Sequence, residues 1–126
     1  MPSDSRARSC RVVVIDDNYD DVRTTALYLQ SMGHKVDYAI NGYAGLDVAM
    51  RFRPDVVFVD LRLPDVDGAT VAREIRNEPR LRSVRVFAIT GSVQQDDWDR
   101  ALEAGCEQVF IKPVDPDVLI ALLDSM

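Results

Sequence analysis

The sequence predicts an α/β fold: a five-stranded parallel sheet with helices on both faces. Three observations predict it. Residues 12–15, 56–59, 86–89 and 109–111 are short apolar runs rich in β-branched side chains, the pattern of strands buried on both faces. Helical periodicity fills the intervals between them, and such alternation implies right-handed crossovers over a parallel sheet. Each run also ends on chemistry: Asp16-Asp17, Asp60, Thr90 and Lys112 follow the four runs directly. In an open parallel sheet those carboxyl ends share one edge, where ligands bind.

The elements follow in order. Residues 11–15 form the first strand. A helix over 19–32 places Val22, Ala26 and Leu29 on one face, and Gly33 stops it. Residues 35–39 alternate as Lys-Val-Asp-Tyr-Ala, an edge strand with one wetter side. Asn41-Gly42 reads as a turn, and a second helix over 43–53 ends before Pro54. Residues 55–59 are the most continuously apolar strand and so belong at the centre. The loop 62–68 leads into a helix through Ile75, with Val71 and Ile75 toward the sheet. Residues 84–89 are the fourth strand, 96–104 a helix closed by Gly105, and 109–111 the fifth strand. Pro116 suits the first turn of a last helix whose stripe is Leu119, Leu122 and Leu123.

At 126 residues the chain holds one domain, placed at 10–126, behind a short disordered arm at 1–9. Hydrophobic residues make up 47% and charged residues 29%, ordinary for a globular protein. A net charge of −6 argues against nucleic acid as a direct partner. No apolar stretch has the roughly 20 residues of a membrane helix, and the polar start is no secretory signal. Cys10 and Cys106 lack metal-ligand spacing and are expected as reduced thiols in the cytoplasm.

Asp16, Asp17 and Asp60 are hard oxygen ligands of the kind that hold Mg²⁺ together with waters and phosphate oxygens. Three crowded carboxylates raise one another's pKa, a conflict that a cation relieves. A carboxylate so compensated can act as a nucleophile toward phosphorus. Asp60 is the expected nucleophile, alone at the end of the central strand. Lys112 supplies a mobile charge and Thr90 a hydroxyl for the phosphoryl oxygens, and Gly91 leaves room for backbone donors. Taken singly, Asp16 or Asp17 is a helix cap, Thr90 a strand-end hydroxyl and Lys112 a solvated charge. Their mutual placement gives them a role. Asp65 and Asp67 read as turn residues before Gly68. His34, the only histidine, has nothing beside it in sequence that would activate it. Trp98 and Tyr43 read as packing residues on helix surfaces, and Arg80, Arg82 and Arg85 as a solvated face.

With these residues in place, residues 11–124 resemble a receiver domain of two-component response regulators. The resemblance is carried by Asp16-Asp17, by Asp60 within Val59-Asp60-Leu61-Arg62-Leu63-Pro64, by Asp67-Gly68, Thr90-Gly91 and Lys112-Pro113. It implies the CheY-like, flavodoxin-like strand order 2-1-3-4-5 and a phosphoryl group accepted on Asp60 from a sensor histidine kinase or histidine phosphotransfer protein. It implies Mg²⁺ held by Asp17, Asp60 and the backbone carbonyl of Arg62, with Asp16 assisting through water. Thr90 and Lys112 would contact the phosphoryl oxygens, a cis peptide would precede Pro113, and Arg62 and Ser92 would modulate hydrolysis of the aspartyl phosphate. Catalysis would be confined to the domain's own phosphorylation and dephosphorylation.

The chain departs from the family at one place. Receivers commonly carry Tyr or Phe three residues before the lysine, where this sequence has Val109. Phe110, one residue on, should face the other way by strand alternation. Output is therefore expected from shifts in residues 91–104. A receiver belonging to a hybrid sensor histidine kinase fits the same residues. An aspartyl-nucleophile phosphohydrolase fits less well, because Arg62 stands where such enzymes carry a second acid. A flavodoxin-like electron carrier would set a flavin phosphate against Asp16-Asp17, and a degenerate receiver would lack acceptor-site residues that are all present here.

Overall fold

The computed structural model describes residues 9–91 and 94–126. Residues 1–8 of the expected arm lie outside this description, and so does Ser92. The elements are β1 (Arg11–Ile15), α1 (Tyr19–Ser31), β2 (Lys35–Ala39), α2 (Gly42–Phe52), β3 (Val56–Asp60), α3 (Gly68–Asn77), a 3₁₀ turn (Pro79–Leu81), β4 (Arg85–Thr90), α4 (Gln95–Glu103), β5 (Val109–Ile111) and α5 (Pro116–Asp124). All strand pairs are parallel, in the order β2-β1-β3-β4-β5. The alternating pattern of β2 matches its place at one edge, and the wholly buried β3 lies at the centre.

Strand alternation divides the core in two. Val13, Ile15, Val57, Val59, Val86 and Ala88 pack with residues of α2, α3 and α4. Val12, Val14, Val56, Phe58, Phe87 and Ile89 pack with Val22 and Leu29 of α1 and with Leu119 and Leu123 of α5. Phe110 lies on this second face, its ring 6.3 Å from that of Phe87, whereas Val109 packs on the first. The stripe of α5 is completed by the buried Ile120, while Leu122 is only half-buried.

Several boundaries have a physical reason the periodicity did not show. Asn18, not Asp16 or Asp17, caps α1, its side chain accepting from the Asp21 N–H. Asn41-Gly42 is the amino end of α2 and not a separate turn, with Asn41 accepting from the Ala44 N–H at 2.8 Å. At the other end of α2, Arg53 sits in the left-handed region with φ 55°. Proline at the next position disfavours the right-handed helical conformation for it. Its carbonyl and that of Phe52 accept from the Arg11 guanidinium, which also lies 4.2 Å over the Phe52 ring. The 3₁₀ turn buries Leu81 against the α2–α3–α4 face.

His34 is buried at the start of β2, and its Nδ1 accepts from the Cys10 N–H at 3.1 Å, joining the entries to β1 and β2. Accepting there requires the neutral ring. Burial lowers its pKa from the ordinary 6.5, against a smaller opposing pull from Asp124.

Two outcomes follow. Replacing Arg53 by Gly removes a left-handed side chain and should raise the urea-unfolding free energy by up to about 1 kcal/mol. For His34, a lowered folded-state pKa means its contribution is complete above about pH 6.5 and is lost as pH falls through the folded value. Wild-type stability should therefore drop more between pH 7.5 and 5.5 than that of His34→Gln, and the ring should titrate below 6.5 by NMR.

Candidate acidic phosphoryl-acceptor site

The carboxyl ends of β1, β3, β4 and β5 place their terminal residues together. Asp60 closes β3 and is 4% exposed. Its Oδ1 accepts from the Arg62 N–H at 2.9 Å, and its Oδ2 accepts from Lys112 Nζ at 2.8 Å. The same ammonium lies 2.9 Å from Asp16 Oδ2. The other oxygen of Asp16 accepts from the Asn18 N–H at 3.0 Å, so the loop before α1 holds that carboxylate in place. Asp17 is exposed, yet one oxygen from each of Asp16, Asp17 and Asp60 lies within 4.8 Å of the others.

Burial pushes the Asp60 carboxyl above its ordinary value, opposed by Lys112 and the Arg62 N–H and reinforced by the Asp16 charge. For Lys112, burial lowers the pKa, but hydrogen bonds to Asp60 and Asp16 outweigh it and the net shift is upward. The ammonium therefore stays charged and compensates two acids at once.

These carboxylates fit a small hard cation. Oxygens about 2.1 Å from Mg²⁺ stand at most about 4.2 Å apart, and the three acids are gathered nearly to that span. Thr90 is wholly buried at the end of β4, and its carbonyl accepts from the Lys112 N–H at 2.8 Å. The Lys112–Pro113 peptide is cis. A cleft of about 490 Å³ opens beside Asp16 and Lys112, lined also by Asp20, Thr24, Pro113 and Leu119.

The loop after β3 is fastened at three points. Asp65, a plain turn residue by sequence, accepts from the Gly42 and Tyr43 N–H groups at 2.8 and 2.9 Å, tying the loop to the start of α2. Asp67 caps α3 through the Thr70 N–H and pairs with Arg100. Gly68 lies against the backbone of Asp60, where a Cβ would stand 2.2 Å from the Asp60 carbonyl oxygen and 2.8 Å from Leu61 Cα. Arg62 sends its guanidinium to Asp97 of α4 at 3.0 Å. Sequence reasoning missed Asp97: acids in a first helical turn are expected for the macrodipole alone.

Other candidate groups stand apart from chemistry. Burial pushes the Cys106 thiol up to about 11, well away from a reactive thiolate. Arg80 and Arg85 pair with Glu78 and Glu107. Trp98 is half-buried and Tyr43 is 63% exposed. No helix among the described residues is long and apolar enough to cross a membrane.

The family model of the response regulator receiver domain matches residues 12–124. The chain belongs to that family. It is 32% identical over 118 residues to the response regulator PleD of Caulobacter vibrioides, covering 94% of this chain and 26% of PleD. It thus spans about a quarter of PleD's length. With the polar-differentiation response regulator DivK of Brucella anthropi it shares 28% identity, covering 90% of this chain and 93% of DivK. Among solved structures, the receiver domain of the sensor histidine kinase PA1611 from Pseudomonas aeruginosa PAO1 matches with a TM-score of 0.83 and 29% identity, covering 94% and 97% of the two chains. That structure has a magnesium ion coordinated in its active site cleft. A CheY-like receiver from Methanospirillum hungatei JF-1, at 21% identity and TM-score 0.87, shares the fold.

The contact at Gly68 makes a direct expectation. Gly68→Ala should cost about 1–3 kcal/mol of stability, because the methyl group drives α3 away from Asp60 and Leu61. Urea unfolding reads the cost, and amide shifts of Asp60 and Leu61 read the displacement.

Proposed function

We propose that Asp60 accepts a phosphoryl group from a phosphohistidine of a sensor histidine kinase or histidine phosphotransfer protein, in a Mg²⁺-dependent reaction. One observation carries this reading: a buried carboxylate at the centre of the sheet edge, paired with Lys112 and flanked by two more acids. Asp16, Asp17, Asp60 and the Arg62 carbonyl would hold the cation, which when bound supplies the charge that lets acids and phosphoryl oxygens share one site. A carboxylate oxygen of Asp60 attacks phosphorus as the bond to the donor's imidazole nitrogen breaks. The electron pair stays on that nitrogen, and because the other ring nitrogen of the donor carries a proton the ring leaves as neutral imidazole. Lys112 and Thr90 bind the transferring oxygens, and the cleft beside Lys112 admits the donor. Hydrolysis reverses the modification: water attacks phosphorus, the bond to Asp60 breaks, and phosphate leaves with the carboxylate restored. Arg62 and Ser92 modulate that step, Ser92 on sequence grounds alone.

On this reading the chain signals by protein contact or passes the phosphoryl group onward, and catalyses nothing beyond its own modification. The likeness to the response regulator DivK favours a single-domain regulator. The likeness to the PA1611 receiver favours the alternative of a domain within a hybrid sensor kinase, where the same chemistry serves. A cytoplasmic setting belongs to the reading, since Cys10 and Cys106 are buried thiols. The net charge of −6 speaks against direct contact with nucleic acid.

Incubation with acetyl phosphate and Mg²⁺ should add one phosphoryl increment to the intact mass. Asp60→Ala or chelation of the metal should abolish it, and Lys112→Ala should reduce it by at least tenfold. Steady turnover of a general phosphomonoester would instead identify a hydrolase.

A further inference from the structure

Arg62 joins two parts of the molecule that the sheet leaves separate. Its backbone N–H holds Asp60 Oδ1 at 2.9 Å, so the residue is rooted at the acceptor. Its guanidinium reaches in the other direction and meets Asp97 Oδ2 at 3.0 Å, on the first turn of α4. The two partners differ in exposure. The Arg62 side chain is 67% exposed, whereas that of Asp97 is only 19% exposed. A cleft of about 300 Å³ lies under the pair, lined by Leu61, Arg62, Asp67, Ala69, Asp97 and Arg100. The arginine thus has open space beside it, while the acid is sheltered.

Resting on the reading of Asp60 as phosphoacceptor, we propose that the Arg62–Asp97 ion pair is an exchangeable latch between the acceptor loop and α4. Asp97 is a positioning residue: it draws Arg62 off Asp60 in the unmodified state. A phosphoryl group on Asp60 brings a doubly negative, three-oxygen acceptor beside the root of Arg62. A pair of single charges with one partner open to water is weak. A guanidinium–phosphoryl contact is charge-assisted and bidentate, and so stronger. Arg62 therefore transfers to the phosphoryl oxygens, shields phosphorus from water, and leaves Asp97.

A second tether makes the release directional. Arg100, one helical turn beyond Asp97, pairs with Asp67, the cap of α3, and lies 3.9 Å from Asp97. Neither Arg100 nor Asp67 is rooted beside the acceptor oxygens, so this pair persists when Arg62 leaves. Helix α4 then keeps the Arg100–Asp67 contact while its first turn loses its tie to Arg62. The latch gives the chain a route from Asp60 to α4 that needs no aromatic side chain at Val109.

The test is the decay of the aspartyl phosphate, followed by intact mass in Mg²⁺ after acetyl phosphate is removed, in wild type, Asp97→Asn, Arg62→Ala and the double variant. Asp97→Asn should lengthen the half-life by about two- to fivefold, the factor an exposed ion pair represents. The effect should vanish in the Arg62→Ala background, which a merely structural role of Asp97 would not produce. Asp97→Glu should restore the wild-type value. Hydrogen exchange should show the amides of α4 protected in the unmodified wild type, and already fast in unmodified Asp97→Asn. A wild-type chain that takes up the phosphoryl group, with an unchanged half-life in Asp97→Asn or an effect undiminished without Arg62, overturns the latch and leaves the phosphoacceptor standing. A wild-type chain that takes up none overturns both.

Discussion

The ammonium of Lys112 lies between two carboxylates, 2.8 Å from Asp60 and 2.9 Å from Asp16, and the geometry of the sheet's carboxyl edge depends on that compensation. Acids at the ends of adjacent parallel strands repel, and burial makes the repulsion worse by removing water. Asp60 is almost fully buried, so it needs fixed partners: Lys112 on one oxygen and the Arg62 N–H on the other. Those contacts also dictate the backbone. Lys112 is placed by its N–H bond to the Thr90 carbonyl, and Arg62 by the loop that Asp65, Asp67 and Gly68 pin to α2, α4 and β3. The acidic cluster and the loops around it are one mechanical unit.

The elements were legible in the sequence because their signal is periodic and redundant. Runs such as Val12–Ile15 and Val56–Val59 can only be buried strands at this length, and each delivers its terminal polar residue to the same edge. What was not legible depends on single atoms meeting across the fold. Asp16 and Asp17 have cap chemistry, but Asn18 takes the cap and leaves Asp16 to steady the loop. Asp65 has the composition of a turn residue, yet both of its oxygens serve the amino end of another helix. The left-handed Arg53 shows no pattern at all, because its conformation is forced by Pro54 and by two carbonyls shared with Arg11.

The two faces of the sheet are not equivalent. On the α1–α5 side, Phe58, Phe87 and Phe110 form a continuous aromatic row across β3, β4 and β5, with ring centroids 5.8 and 6.3 Å apart. On the opposite side the corresponding residues are small, Val109 and Ala88 among them, and they face the α2–α3–α4 layer. An aromatic ring beneath α4 would fill space and couple β5 to that helix by packing. With valine at 109 no ring lies there, and α4 reaches the loop after Asp60 through the polar contacts of its own surface.

Helix α4 is suited to carry such a connection because it buries little of its own surface. Among its own residues only Ala101 is buried, whereas α3 buries five and α1 three. Among the described residues, its N-cap position Gln94 makes no side-chain cap bond, unlike the N-cap residues of α1, α2, α3 and α5. A segment with few buried apolar groups opens at low free energy, and its position is sensitive to ion pairs that would be minor elsewhere. Asp97 and Arg100 supply those pairs, and both reach the loop that carries Asp60 to α3. A weakly packed helix fastened by charge needs no large rearrangement of the core to move. The sheet and the placement of α4 thus rest on different interactions: mainly apolar burial for the first, and ion pairs with the loop after β3 for the second.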